Sequence, residues 1–282
     1  MATSNARQQS DRYWIQRIRE DEEYANRQAV DASERIRKLY ETQYKKIVVK
    51  LEGLMSEVGK GKELSRTKLW NYSRWREMEK SLSSFVTGGS LIERETVYGC
   101  LDKVFENTIG AKVEDLITEN FVPNLDPRAV IDSAWSGERF STRIWNNRAA
   151  LAERIRIDME DMIVQGRGLG DMKQELMREF GVGYRQADTL LRTELNYTMN
   201  QAHLQRYRQT SARKVRWMAK NREAKRCKIC GGRNRAVWWI DSAPVLPAHP
   251  RCGCRWVAVI ETNGEDVPVN GPEIMMSEAM DE

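Results

Sequence analysis

The chain has 282 residues, 40% apolar and 31% charged, with a mean hydropathy of −0.67. That is enough for one large domain or two ordinary ones with a core of modest size. No stretch approaches the roughly 18 consecutive apolar residues of a membrane span, which excludes a membrane protein of the helical kind, and the polar start lacks a secretory core, which predicts folding in a cytoplasm. The net charge of +5 is unevenly spread: from Ala202 to Ile260 there are 14 Lys and Arg against two acids, Glu223 and Asp241, and beyond Ile260 there are seven acids and no base. Such a basic stretch suits an anionic partner such as nucleic acid, or is simply a solvated face.

In chain order, Ile36, Tyr40, Tyr44, Ile47, Leu51 and Leu54 recur at helical steps. They predict a long amphipathic helix, or two in line, from about Asp11 to Val58, ended by Gly59 and Gly61. A second helical stretch offers Trp70, Trp75, Met78 and Leu82 as core residues. Thr87-Gly88-Gly89-Ser90 reads as a turn, and Leu91 to Asn120 as a further helix or pair in which Cys100 is a small core residue. The two prolines of Pro123-Asn124-Leu125-Asp126-Pro127 place a boundary there.

Ile144, Leu151, Ile155, Met159 and Met162 make the next apolar stripe. Gly166-Arg167-Gly168-Leu169-Gly170 lacks the Lys-Ser/Thr and the preceding strand of a phosphate loop. It predicts a helix stop and a new start, with Asp171 as N-cap and Gln174 in the capping-box position. A short helix through Leu176 and Phe180 then runs to a turn at Gly181-Val182-Gly183. The following helix, to about Gln209, buries Ala187, Leu191, Leu195 and Ala202. Its polar residues Arg192, Thr193, Glu194, Asn196 and Asn200 are either a site or a hydrogen-bond network that clamps the helix to its neighbours. Beyond Ala212, Val215 to Ala219, Ala236 to Ile240 and Cys254 to Ile260 read as short strands, the last with Cys254, Trp256, Ala258 and Ile260 on one face.

Four of the five cysteines lie close together as Cys227-x-x-Cys230 and His249-Pro250-Arg251-Cys252-Gly253-Cys254. In a reducing compartment such clustering points to metal ligands rather than disulfides. A Cys-x-x-Cys turn brings two thiolates to one ion, and the second half offers His249, Cys252 and Cys254, so five candidates compete for the four places of a tetrahedral site. Thiolate-rich ligation favours Zn2+ over magnesium or calcium. A catalytic zinc would need an open position and a nearby base. The other histidine, His203, lies mid-helix and reads as a satisfied side chain, so the ion is expected to be structural, a staple for three strands too short to stand alone.

Taken together, the pieces resemble the phage Mu F-like head-morphogenesis family, the minor capsid proteins of tailed bacteriophages. The resemblance is carried by the helix with Arg192-Thr193-Glu194, the strand around Trp217, Cys227-x-x-Cys230 and Ala248-His249-Pro250-Arg251-Cys252-Gly253-Cys254-Arg255, and covers roughly Ala129 to Ile260. The family has Arg between its last two cysteines where this chain has Gly253. The resemblance implies a non-enzymatic virion protein of low copy number, bound to the portal protein inside the head, near the major capsid or scaffolding protein, and in contact with packaged double-stranded DNA. Lys225, Arg226, Lys228, Arg233, Arg235, Arg251 and Arg255 are the candidate DNA contacts.

The expected fold is α+β and mainly helical, with long N-terminal helices and a small C-terminal zinc-stapled β region. Its parts are an N-terminal helical region (1–125), the head-morphogenesis domain (126–260, with helices to about 212 and the β region over 213–260) and an acidic mobile tail (261–282). The competing functional readings are a zinc-containing DNA-binding protein and an HNH-like nuclease, in which His203 would have to serve as base.

Overall fold

The structure, a computed structural model, describes residues 2–58, 65–110, 126–210, 212–220, 227–261 and 267–271, with side chains from residue 12 onward. The chain is mainly helical, with a small three-stranded sheet near its C-terminal end. The helices are α1 (Ala2–Val58), α2 (Arg66–Asn71), α3 (Ser73–Gly110), α4 (Pro127–Ile131), α5 (Phe140–Val164), α6 (Leu169–Arg208) and α7 (Lys228–Arg233). The strands are β1 (Lys214–Met218), β2 (Val237–Trp239) and β3 (Arg255–Val259). Residues Met1–Val30, Gly99–Trp135 and Leu190–Glu282 form one compact unit, and Asp31–Tyr98 with Ser136–Thr189 form a second. Of the expected boundary at Pro123–Pro127, residues 123–125 lie outside the described residues, while Asp126 caps α4 and Pro127 opens it; the helix stops at Gly59 and Gly61 also lie outside the described residues.

Among the described residues, the second unit has helices as its only regular elements. On α1 it buries Ile36, Tyr40, Ile47, Leu51 and Leu54, while Tyr44 stays half-buried. Each fully buried aliphatic side chain contributes about 1.5–3 kcal/mol. Trp75, Met78 and Leu82 are core, but Trp70 is 51% exposed because α2 stops at Tyr72 and α3 restarts at Ser73, which breaks the helical spacing between the two tryptophans. On α5, Ile163 rather than Met162 completes the buried stripe.

Two expected turns are absent, and in each case one of the two glycines gives a buried neighbour its space. Thr87–Ser90 lies inside α3, and Gly181 and Gly183 lie inside α6. A Cβ at Gly89 would overlap the Arg148 guanidinium, and one at Gly183 would overlap Leu151 and come within 2.9 Å of Tyr40 Cε1. Glycine in a helix costs about 1 kcal/mol against alanine, and here it makes room for a buried neighbour. The stop after α5 is where it was expected: Gln165 ends the helix and Gly166 takes a φ of 70°. Asp171, however, sits in the first turn of α6, favourable for the helix dipole, rather than at the cap.

The first unit carries the sheet, in the order β2-β1-β3, antiparallel throughout. Register pairs Val215 with Trp238 and Ala258, and Trp217 with Trp256, so these residues share one face. That face forms the core with Trp14 and Ile18 of α1 and Leu204 and Tyr207 of α6. Trp217, Trp238 and Trp256 pack together with ring centroids 5.3–5.9 Å apart. On the opposite face Val237 and Val259 are covered by Val267. Residues 267–271, within the expected acidic tail, are tied down there: Lys214 Nζ donates to the Val267 carbonyl (2.8 Å) and to Glu261 (2.7 Å), and the Asn270 and Gly271 N–H groups donate to the Val237 carbonyl. Residues 262–266 and 272–282 of the tail lie outside the described residues.

Candidate metal centre

Cys227 sits at the N-cap of α7, where its sulfur accepts from the Cys230 N–H (3.3 Å), and the Gly231 N–H returns to the Cys227 carbonyl (2.8 Å). The Cys-x-x-Cys spacing thus closes into a single turn that faces both sulfurs the same way. The second half comes from the loop before β3, where Cys252 N–H donates to the His249 carbonyl (3.1 Å) and Arg251 adopts a φ of 57°. That conformation is uncommon for a residue other than glycine and turns the chain sharply between His249 and Cys252.

The two halves meet. Cys230 Sγ lies 3.4 Å from His249 Nε2 and 3.7 Å from Cys252 Sγ. The donors fall into two triplets, Cys227–Cys230–His249 and Cys230–Cys252–Cys254, whose ligand atoms lie within 4.8 Å of one another, and Cys230 belongs to both. All five predicted ligands are therefore gathered in one cluster that can hold a metal ion. Its dimensions suit tetrahedral coordination: metal–sulfur bonds of about 2.3 Å and metal–nitrogen bonds of about 2.0–2.1 Å set sulfurs about 3.8 Å apart and a sulfur about 3.5 Å from a nitrogen. They do not suit a disulfide, whose sulfurs would be about 2.05 Å apart, and all the cysteines are free. Cys230, Cys252 and Cys254 are buried and Cys227 is exposed. Thiols this crowded cannot all ionise unaided. Hydrogen bonding with Cys252 and Cys254, then burial, pushes the Cys230 thiol up, while the bonds that Cys252 receives from Cys230 and Cys254 pull it down. A cation would relieve that competition.

The polar residues of α6 prove to be a clamp. Thr193 Oγ1 accepts from the Arg251 N–H (3.1 Å), Asn196 Nδ2 donates to the Cys252 carbonyl, and Asn200 Nδ2 donates to the Cys254 carbonyl (3.2 Å). Asn200 Oδ1 also accepts from the Trp256 N–H (3.0 Å), and Tyr207 OH donates to the Trp256 carbonyl (3.0 Å). Glu194 accepts from Trp135 Nε1 (2.8 Å). Their spacing on one helix face was legible in the sequence; their partners were not.

His203 is fully buried and bonded through Nε2 to Asp21 (3.0 Å), which also accepts from Arg206 Nη1 (3.0 Å). Burial pushes its imidazole below the ordinary value, against the bond and charge of Asp21 that pull it up. No sequence pattern links Asp21 to His203, 182 residues apart. Of the candidate DNA contacts, Lys228, Arg235 and Arg251 are exposed. Arg233 lies over the Trp217 ring (5.5 Å), and Arg255 pairs with Glu22 and is largely covered. Lys225 and Arg226 lie outside the described residues. At Gly253 the space a Cβ would take is filled by the side-chain stem of Lys220. Comparison of the chain with protein-family models, with curated proteins and with solved structures finds no match. No described helix is long and apolar enough to cross a membrane.

Proposed function

We propose that this chain is a minor capsid, head-morphogenesis protein of a tailed bacteriophage, a structural protein whose cysteine–histidine cluster holds Zn2+. The observation that carries the reading is the contact between the segments that bear the resemblance. Thr193 of Arg192-Thr193-Glu194 bonds the backbone of the His249–Cys254 segment, whose Cys252 lies against Cys230 of the Cys-x-x-Cys turn. The motif pieces thus behave as one assembled device, as expected of a shared architecture rather than chance spacing. Four thiolates and an imidazole are soft and borderline donors that favour zinc. With Cys and His filling all four places, no position is left for a substrate or an activated water.

The placement of His203 supports the structural reading over the nuclease one. The nuclease reading needs it as a base within reach of substrate, yet it is sealed in the core against Asp21. Within the capsid reading, the protein partners are the portal protein and the neighbouring major capsid or scaffolding protein. Exposed Lys228, Arg235 and Arg251 beside the cluster favour additional, sequence-independent contact with packaged double-stranded DNA. The deciding experiment is quantitative mass spectrometry of purified particles, counting this chain against the portal protein. A few copies per particle are expected; absence from particles overturns the capsid reading.

A further inference from the structure

β3 is an outer strand of its sheet, paired on one side only, with β1. Its other edge is met by side chains of α6 instead of a fourth strand. Asn200 does this most fully: its side-chain amide donates to the Cys254 carbonyl and accepts from the Trp256 N–H, bracketing Arg255 as the N–H and C=O of one residue on a parallel neighbouring strand would. Asn200 is fully buried, so neither backbone group has water as an alternative partner. One turn earlier Asn196 holds the Cys252 carbonyl; one turn earlier again Thr193 holds the Arg251 N–H at the left-handed residue. Asn200 Nδ2 also donates to the Asn196 side chain and to its carbonyl (2.9 Å), which locks the two amides to each other.

The bonds that leave α6 all fall on the short segment that carries two of the candidate thiolates. We propose that Thr193, Asn196 and Asn200 are positioning residues of the metal centre: they fix the path of residues 251–256 so that the Cys252 and Cys254 sulfurs stand ready beside Cys230 before an ion arrives. None of the three offers the ion a ligand. Their effect is preorganisation, which lowers the ordering cost of binding and so raises affinity. The inference rests on the reading of the cluster as a metal centre.

The test uses the full chain, with zinc affinity from competition against a chromophoric chelator and ligand-field absorption of the Co2+-loaded protein. Asn196→Ala and Asn200→Ala should each weaken zinc binding about 10–100-fold and alter the Co2+ bands, with helical circular dichroism retained. Thr193→Val, which keeps shape and removes the acceptor, should weaken binding, and Thr193→Ser, which restores it, should return affinity to the wild-type value. Folded variants with wild-type affinity and unchanged Co2+ bands overturn the proposal. Should the asparagine variants fail to fold, the Thr193 pair decides it, with equal affinity for Val and Ser as the overturning result. A wild-type chain that binds no zinc or Co2+ overturns the metal-centre reading itself, and this proposal with it, before any variant is made.

Discussion

In the unit formed by residues 31–98 and 136–189, an ion pair with both partners buried joins Arg148 Nε to Glu93 at 2.7 Å, with the guanidinium also donating to Gln43 (3.0 Å) and the Phe85 carbonyl (3.1 Å) and lying 4.5 Å over the Tyr40 ring. Helices satisfy their own backbone, so this unit has only side chains left to pair. The sheet-bearing unit faces a different problem. Three strands of three to five residues leave an open edge and little core of their own. Side-chain amides from α6 supply the missing backbone partners, and the cysteine cluster ties the connecting loops. The helical unit packs apolar helix faces around a few buried charges; in the sheet-bearing unit, polar side chains stand in for backbone partners that the sheet lacks.

That contrast breaks most sharply at Cys230, the residue common to both donor triplets. Cys230→Ser is expected to abolish zinc binding and, with it, a stabilisation on the order of 10 kcal/mol. Hydrogen exchange should then show loss of protection over 214–259, while the helical residues 140–163 stay protected. If the strands keep their protection without metal, the sheet stands by itself and the difference between the units disappears. Next in size is the ion pair. Arg148→Met leaves Glu93 buried and uncompensated, at a cost of about 3–5 kcal/mol in a urea melt. Burial already pushes the Glu93 carboxyl up against the pull of Arg148, so adding Glu93→Gln to Arg148→Met should recover most of the loss. A double variant as unstable as the single would mean that Arg148 acts through its packing on Tyr40 and Phe85.

How much of this could be read from the sequence follows the reach of each interaction. The long first helix, the stop at Gly166, the three strands and the five metal-ligand candidates are written in local spacing, and spacing of three, four or two residues survives folding unchanged. The clamp was half legible: Thr193, Asn196 and Asn200 share a helix face, but their partners lie more than 50 residues away. The Asp21–His203–Arg206 cluster left no trace, since a single acid in a charged helix looks like any solvated residue. The basic stretch misled by count. Arg206 and Lys214 are buried against Asp21 and Glu261, and Arg255 is paired, so part of the apparent charged surface is internal structure. The glycines misled most, because a Gly-Gly pair signals a turn locally while the need it meets is a neighbour's volume.

That last point gives the smallest effect and the most direct one to check. Gly88 and Gly89 are adjacent in α3, so they share propensity and backbone geometry. Around Gly88 a Cβ meets nothing within 4 Å, whereas at Gly89 it overlaps the Arg148 guanidinium and comes within 2.7 Å of Gln43 Nε2. Gly88→Ala should therefore stabilise the chain by about 0.5–1 kcal/mol, the ordinary gain of alanine over glycine in a helix. Gly89→Ala should destabilise it by about 1–3 kcal/mol, because the buried ion pair has no room to move. Thermal melts of the two variants side by side read the sign. Opposite signs place the second glycine in the service of Arg148; two stabilised variants would show that the guanidinium can shift, and that the ion pair is held less rigidly than its hydrogen bonds suggest.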